Sequence, residues 1–388
     1  MHRDSEDPGA EKFMVSAENN PIIKAFVQDQ AAYPGKFNSH ISRNDEMYLF
    51  ALQHFGGNID HACIELLTTG KQSIDVIRQI VDWNFGGFQK VSAFLDFASG
   101  YGRLTRFLIQ ELSPSRVWVS DIQADAIKFQ QEQFSVHGKV SVRDPKDFRD
   151  DNKYDCIFAA SLFSHLPEKT FVGWLRRLYD LLTPDGLLIF SVHDAGVLPP
   201  NLTMAENGLL FIPESESRSL EKNDYGLTYV TESFVRRVIE EVTGKSLYYR
   251  MKKGLWWFQD IYIIPRNPDK SFDALDISPG PVGSVDRCRM FDDGGILFKG
   301  WAFEPGSRAS VQEIQIVADG EIVCRCLPYR ERPDIVEAFH DARGLKSGFF
   351  CYLEPGIIRS SDIVIVKIIN SKNIEHVISI GTLESMMK

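Results

Sequence analysis

Between residues 21 and 90 apolar residues recur every three or four positions, in the run Glu46–Leu52 and again in Ile74–Val81. That spacing predicts helices, and Gly56-Gly57 and Gly70 punctuate them. Residues 1–20 are polar and predicted to fray. At residue 91 the pattern changes. Short apolar runs at 91–97, 116–120, 139–142, 154–159 and 187–193 alternate with helical stretches at 103–112, 124–134 and 170–182. Strands alternating with helices predict a parallel sheet covered on both faces. Residues 194–226 are a long insert rich in Pro, Glu, Ser and Asn, read as a loop and including the polar stretch 214–219. Thr231 then reads as the cap of a helix at 232–242 closed by Gly244. The strands predicted at 246–251 and 261–265 are too close for a crossover helix, so they pair antiparallel at the sheet edge.

Beyond a Pro-containing linker at 267–282 the period becomes two. Strands are predicted at 296–303, 311–318, 321–327, 349–353, 362–369 and 374–380, with Asp319-Gly320 as a hairpin turn. This series predicts a β-sandwich. The expected organisation is a tail and helical cap at 1–90, a doubly wound α/β domain at 91–266, the linker, and an all-β sandwich at 283–388.

Composition narrows the function. The 388 residues are 44% hydrophobic and 25% charged, which is globular composition and excludes a disordered or fibrous chain. The 53 acidic residues outnumber the 43 basic ones, for a formal charge of −10, so general nucleic-acid binding is not expected. No apolar run approaches the ~20 residues of a membrane span, and the polar start does not resemble a signal peptide. The six cysteines show no metal-ligand spacing and sit mostly in apolar runs, so we expect buried, reduced thiols in a cytoplasmic protein. No metal is expected.

Residues Phe94–Thr105 carry the chemistry. Small residues at Ala98, Gly100 and Gly102 let a ligand approach the backbone where a strand turns into a helix. A dinucleotide would want a third glycine, where Thr105 stands, and Asp96 at the strand end would repel its pyrophosphate. S-adenosylmethionine carries an ammonium and a sulfonium, which a carboxylate attracts. Asp121 ends the second strand and can accept from ribose hydroxyls in either case.

These residues resemble the class I S-adenosylmethionine-dependent methyltransferases. Asp96–Gly102 resembles their glycine-rich first motif, with Ala98 in place of the first glycine, and Asp121 falls at their ribose-binding position. Asp144–Phe148 resembles the third-strand motif, where Asp147 is an alternative to Asp144. Tyr154–Glu168 resembles the fourth motif, and Leu182–Leu188 the loop before strand five. The resemblance implies a Rossmann-like, mostly parallel seven-stranded sheet with a reversed seventh strand. It implies cofactor contacts from Asp96, Ala98, Gly100, Tyr101, Gly102, Arg103, Asp121 and Ile122, from Asp144 and Pro145, and from Ala160 and Ser161.

Methyl transfer from a sulfonium needs alignment above all, and a general base only when the acceptor holds its proton tightly. His193 and His165 follow strands on the ligand side and are the candidate bases, with Asp194 beside His193. Tyr225, at the end of the insert, and Tyr33 and Arg43, in the cap, are candidates for the acceptor pocket. Trp256-Trp257-Phe258 is either an acceptor wall or a packing element. The stretches at 300–305, 319–320, 332–335 and 347–349 resemble a β-sandwich appended to bacterial glycan-modifying enzymes, in which Trp301 either stacks on a sugar or fills the core. The expected function is therefore methyl transfer to a small-molecule or glycan acceptor, at oxygen. An NAD-dependent oxidoreductase on the same fold and a non-catalytic glycan-binding protein are the alternatives.

Overall fold

The computed structural model describes residues 19–214 and 220–387, so the polar tail and most of the 214–219 stretch lie outside the described residues. The chain divides into two compact units. One comprises 44–47 and 77–275; the other comprises the segment ending at Arg43, residues 48–76 and 276 onward. The division falls inside the long helix Ile59–Phe85, so the stretch expected as one cap at 1–90 is shared between them.

The first unit is built on a mixed sheet. Strands β1 (Phe94–Phe97), β2 (Val117–Asp121), β3 (His137–Val140), β4 (Tyr154–Ala159) and β5 (Leu182–Asp194) run parallel in the order β3-β2-β1-β4-β5. All four residues of β1 are buried, as expected for a strand with helices on both faces. The strands β8 (Tyr249–Leu255) and β9 (Gln259–Pro265) continue the sheet antiparallel beyond β5, which gives the predicted seven strands. The insert adds two more. Leu209–Ile212 (β6) and Leu227–Val230 (β7) form a hairpin whose β7 pairs with the end of β5, at His193↔Tyr229 and Asp194↔Val230. The polar composition of 194–226 hid the apolar run Leu209–Ile212, and Leu227–Val230 follows the insert directly, so the region is more ordered than the expected loop.

The helix predicted at 232–242 has the caps the sequence names, whereas the one predicted at 170–182 runs from Glu168 to Asp180. Thr231 Oγ1 accepts from the Phe234 amide at 3.2 Å, and Gly244 closes Glu232–Thr243 with a left-handed φ of 75°. Helix Glu168–Asp180 puts Phe171, Trp174, Leu175 and Leu178 into the core beside Phe97, Phe163 and Phe190. Strand order reverses between β1 and β4, and ligands in such sheets bind outside the carboxyl ends at that point.

The second unit is a sandwich of a three-stranded sheet, β10 (Val282–Met290)-β11 (Ile296–Phe303)-β14 (Gly348–Leu353), and a four-stranded sheet, β13 (Glu321–Cys326)-β12 (Val311–Ala318)-β15 (Ile363–Asn370)-β16 (Glu375–Thr382). Ile296, Phe298, Ile314, Ile316, Phe349, Val364, Val366 and Ile368 fill the space between them. Both Asp319 and Gly320 take positive φ, the requirement of the predicted two-residue turn. Helix Pro21–Gln30 packs on β15 and β16 of this sandwich, and Lys367 Nζ meets Asp29 Oδ1 at 2.9 Å. Against the expectation of six reduced thiols, Cys326 and Cys351 form a disulfide. They lie on neighbouring edge strands of opposite sheets, a relation that sequence spacing does not reveal.

Candidate active site

The turn after β1 has the backbone of a ligand cradle. Ala98, Gly100 and Gly102 all take positive φ, at 57°, 53° and 81°. Gly102 has no room for a side chain, because an added Cβ would lie 2.5 Å from Phe134 Cε2. Gly100 differs, since a Cβ there would meet no heavy atom within 4 Å. Open space thus lies against the backbone at Gly100, while Gln130 holds the loop from behind by donating to Ser99 Oγ and the Gly100 carbonyl.

Two buried carboxylates flank this cradle. Asp121 Oδ2 accepts from the Gly100 amide at 2.8 Å and Oδ1 from the Gln123 amide at 2.9 Å. A carboxylate has about four acceptor sites, so capacity remains for a ligand hydroxyl. Asp96 Oδ2 accepts from Thr105 Oγ1 at 2.9 Å. Burial pushes the Asp96 carboxyl up to about 7 and raises that of Asp121 as well. The positive charge of Arg103 partly offsets the rise at Asp96, and no cation pairs with either carboxylate within 4.0 Å among the described residues. Tyr101 is buried edge-on against Phe129. Ile122 is half-buried. Asp144 is exposed and caps the turn beneath it by accepting from the Lys146 amide, and Pro145 packs below Gly173.

A second cluster gathers at the ends of β4 and β5. His165 and Gly226 bond twice: His165 Nδ1 donates to the Gly226 carbonyl at 2.7 Å, and the Gly226 amide donates to the His165 carbonyl at 2.9 Å. Only glycine fits there, because a Cβ on Gly226 would sit 2.2 Å from the Ile212 carbonyl oxygen. Tyr225 stacks on the His165 ring at 4.5 Å. His193 lies beside them, with Tyr229 at 5.5 Å and Phe258 at 6.0 Å between ring centroids. Arg103 lies flat on Trp256 at 4.0 Å, which links the cradle to the β8–β9 hairpin.

A buried polar chain fixes His193. Ala160 leads from β4 into Ser161, whose φ is 57°. The Ser161 amide donates to Ser191 Oγ at 2.8 Å, and Ser191 Oγ donates to Gln259 Oε1 at 2.5 Å. Gln259 therefore presents its Nε2, which donates to Ser161 Oγ at 2.8 Å and to His193 Nε2 at 3.3 Å. The His193 proton is left on Nδ1, which is buried with no partner among the described residues. Burial, reinforced by His165, pushes the His193 ring down to about 4, and burial lowers His165 too, so both rings are neutral at pH 7.

Asp194 does not partner His193. Its Oδ2 accepts from Arg250 Nη2 at 2.7 Å and its Oδ1 from the Gly196 amide at 2.8 Å. Arg250 also holds Asp260 and Glu232, so Asp194 belongs to a clamp between β5, β8, β9 and the helix at 232–243. Tyr33 and Arg43 are exposed members of the other unit. Gln259 and Arg250 were missed from the sequence; the signal for Gln259 is a polar residue opening a strand whose seven positions are all buried, whereas the strand of Arg250 has exposed positions and gives no such signal.

Residues 95–188 match a family of methyltransferase domains. The chain carries a methyltransferase domain. The match runs from β1 into β5 and so covers the cradle, Asp121, Ser161 and His165, while His193, Gln259, the insert hairpin and the sandwich lie outside it. Among solved structures, the domain is similar to the plantazolicin methyltransferase BpumL in complex with SAH, at 13% identity and a TM-score of 0.39, over 66% of this chain and 98% of that one. It is also similar to an S-adenosylmethionine-dependent methyltransferase from Clostridium acetobutylicum, at 12% identity and a TM-score of 0.36, over 51% and 92%. A third is an O-methyltransferase family protein from Burkholderia thailandensis, at 14% and 0.37, over 57% and 64%. No curated protein matches the chain. Among the described residues no helix is long and apolar enough to cross a membrane, and none of their His, Cys, Asp and Glu side chains form a metal-binding group.

Proposed function

We propose that the protein uses S-adenosylmethionine to methylate an oxygen of a small-molecule or glycan acceptor. The observation that carries this reading is the open face of Gly100 beside two buried carboxylates with no cation in direct contact. A cationic ligand there would offset the cost of burying Asp96, whereas a pyrophosphate would add to it. Thr105, which stands where a dinucleotide fold wants glycine, uses its hydroxyl to hold Asp96. That also favours S-adenosylmethionine over NAD.

Bound S-adenosylmethionine supplies an activated methyl group. The chain has to hold it, align the acceptor and exclude water. Asp121 holds hydroxyls of the nucleoside and Asp96 faces the cationic end. His165 is the base in this reading, in place of His193. Its Nδ1 proton is committed to the Gly226 carbonyl, so Nε2 keeps its lone pair, and burial keeps the ring neutral at pH 7. The His193 Nε2 lone pair already accepts from Gln259, so His193 serves as a donor that orients the acceptor.

Two measurements test this. S-adenosylmethionine at ~100 times its dissociation constant should stabilise the protein by about 2.7 kcal/mol. Asp121→Ala should abolish that shift. His165→Asn should keep the shift while product S-adenosylhomocysteine forms about 10²–10⁴ times more slowly with a hydroxylated acceptor. Full turnover in His165→Asn would remove the base assignment, and a stabilisation by NAD instead would remove the cofactor assignment.

A further inference from the structure

The outer face of the three-stranded sheet gathers cations that have no carboxylate. Antiparallel register places Arg287 opposite Lys299, and Lys299 opposite Phe350, in one row across β10, β11 and β14. The next outward row is Arg289, Leu297 and Tyr352. Cys288, Phe298 and Cys351 lie between these rows and face the core. Arg330 lies over the Phe350 ring at 4.5 Å and over Tyr329 at 5.1 Å. Tyr329, Phe350 and Tyr352 are 45%, 36% and 43% exposed. Arg287, Arg289, Lys299 and Arg330 are exposed too, and none has a carboxylate within 4.0 Å among the described residues. Asp286, next to Arg287 in the chain, is taken by Arg332 at 2.7 Å.

This arrangement works against the fold. Like charges directly opposite each other on neighbouring strands repel, and the chain as a whole is acidic, at −10. An external anion would relieve the repulsion between Arg287 and Lys299. The flat, exposed rings beside them offer surfaces for the C–H faces of sugar rings. The charge is not uniform along the face: Asp293 and Glu354 lie near Tyr352. A nucleic acid carries a phosphate on every nucleotide and would meet those carboxylates. An acidic polysaccharide can set a charged sugar against Arg287, Lys299 and Arg330 and an uncharged ring against Tyr352. We propose that this face binds an acidic polysaccharide through Arg287, Lys299, Arg330, Tyr329, Phe350 and Tyr352. The proposal stands apart from the methyltransferase reading, because no residue of the cradle or of the histidine cluster takes part.

The test uses the full chain in low-salt affinity electrophoresis with hyaluronate, in which charged and uncharged sugars alternate, with neutral pullulan and with oligothymidylate. Retardation by hyaluronate is expected to weaken with salt and to fall roughly tenfold or more in Arg330→Ala and in Phe350→Ala. The variant Arg287→Ala should lose binding while its melting temperature holds or rises, since it removes the repulsion with Lys299; a purely structural arginine would lower it. No retardation by hyaluronate, equal retardation by pullulan, or retardation unchanged in Arg330→Ala would overturn the proposal. Tighter binding of oligothymidylate would overturn the choice of ligand.

Discussion

Asp96→Asn tests the electrostatics of the cradle. Burial raises this carboxyl from 3.8 to about 7, a displacement of about 3 pKa units, which at about 1.36 kcal/mol each is on the order of 4 kcal/mol. Between those two values the folded chain keeps a proton that the unfolded chain has lost. Stability therefore falls as pH rises from about 4 to about 7 and stays low above that. Asparagine cannot ionise, so the variant lacks this slope. Its amide introduces a donor next to Thr105 that costs about 1–3 kcal/mol, but that cost does not vary with pH and cancels in the comparison. Urea denaturation of both proteins at about pH 4.5 and about pH 8 should show the variant gaining up to ~4 kcal/mol on the native protein between the two conditions. Asp121 is raised in the same direction but is present in both proteins, so it drops out apart from its coupling to Asp96. If S-adenosylmethionine needs Asp96 ionised, binding at pH 7 releases protons from the native protein and not from the variant, which calorimetry in buffers of different ionisation enthalpy reads directly. A stability difference that is flat with pH would refute the argument.

Three other substitutions probe separate parts of the structure. Gly100→Ala places a methyl group in open space but at a φ of 53°; it should cost about 1 kcal/mol in urea denaturation and abolish the thermal shift with S-adenosylmethionine. Gln259→Leu removes the donor to His193 Nε2 and the acceptor of Ser191; it should cost about 1–3 kcal/mol, and nitrogen NMR of the His193 ring should show its proton no longer confined to Nδ1. Cys326→Ser opens a link between residues 25 apart; loop-closure entropy predicts a loss of about 3.5 kcal/mol, read as a lower melting temperature that reducing agent does not lower further.

The fold was largely legible because the first unit alternates short apolar runs with helical stretches, and few architectures bury such runs on both faces. Asp96 and Asp121 were legible for a related reason. Each is a charged residue at the end of an apolar strand, and strand ends at a reversal of order are where ligands bind. The parts that escaped depend on pairings between distant segments. His165 and Gly226 are 61 residues apart, and Ser191 and Gln259 are 68 apart. Nothing in either member of those pairs names the other. The same holds for Cys326 and Cys351, which meet only because two sheets pack face to face.

The roles of the histidines illustrate why position alone was not enough. His165 and His193 both follow strands of the parallel sheet, and on spacing they are equivalent candidates for a base. What separates them is the partner that takes or leaves a lone pair: a backbone carbonyl fixes the proton of His165 on Nδ1, and a side-chain amide occupies Nε2 of His193. Asp194, next to His193 in the chain, is turned instead toward Arg250. Gln259 and Asp260 nevertheless left a trace in the sequence, as two polar residues opening the apolar strand Gln259–Pro265, where all seven positions are buried. A buried polar group has to be hydrogen-bonded. Such a pair therefore announces a network even when its partners are unknown, and here that network sets which nitrogen of a neighbouring histidine carries the proton.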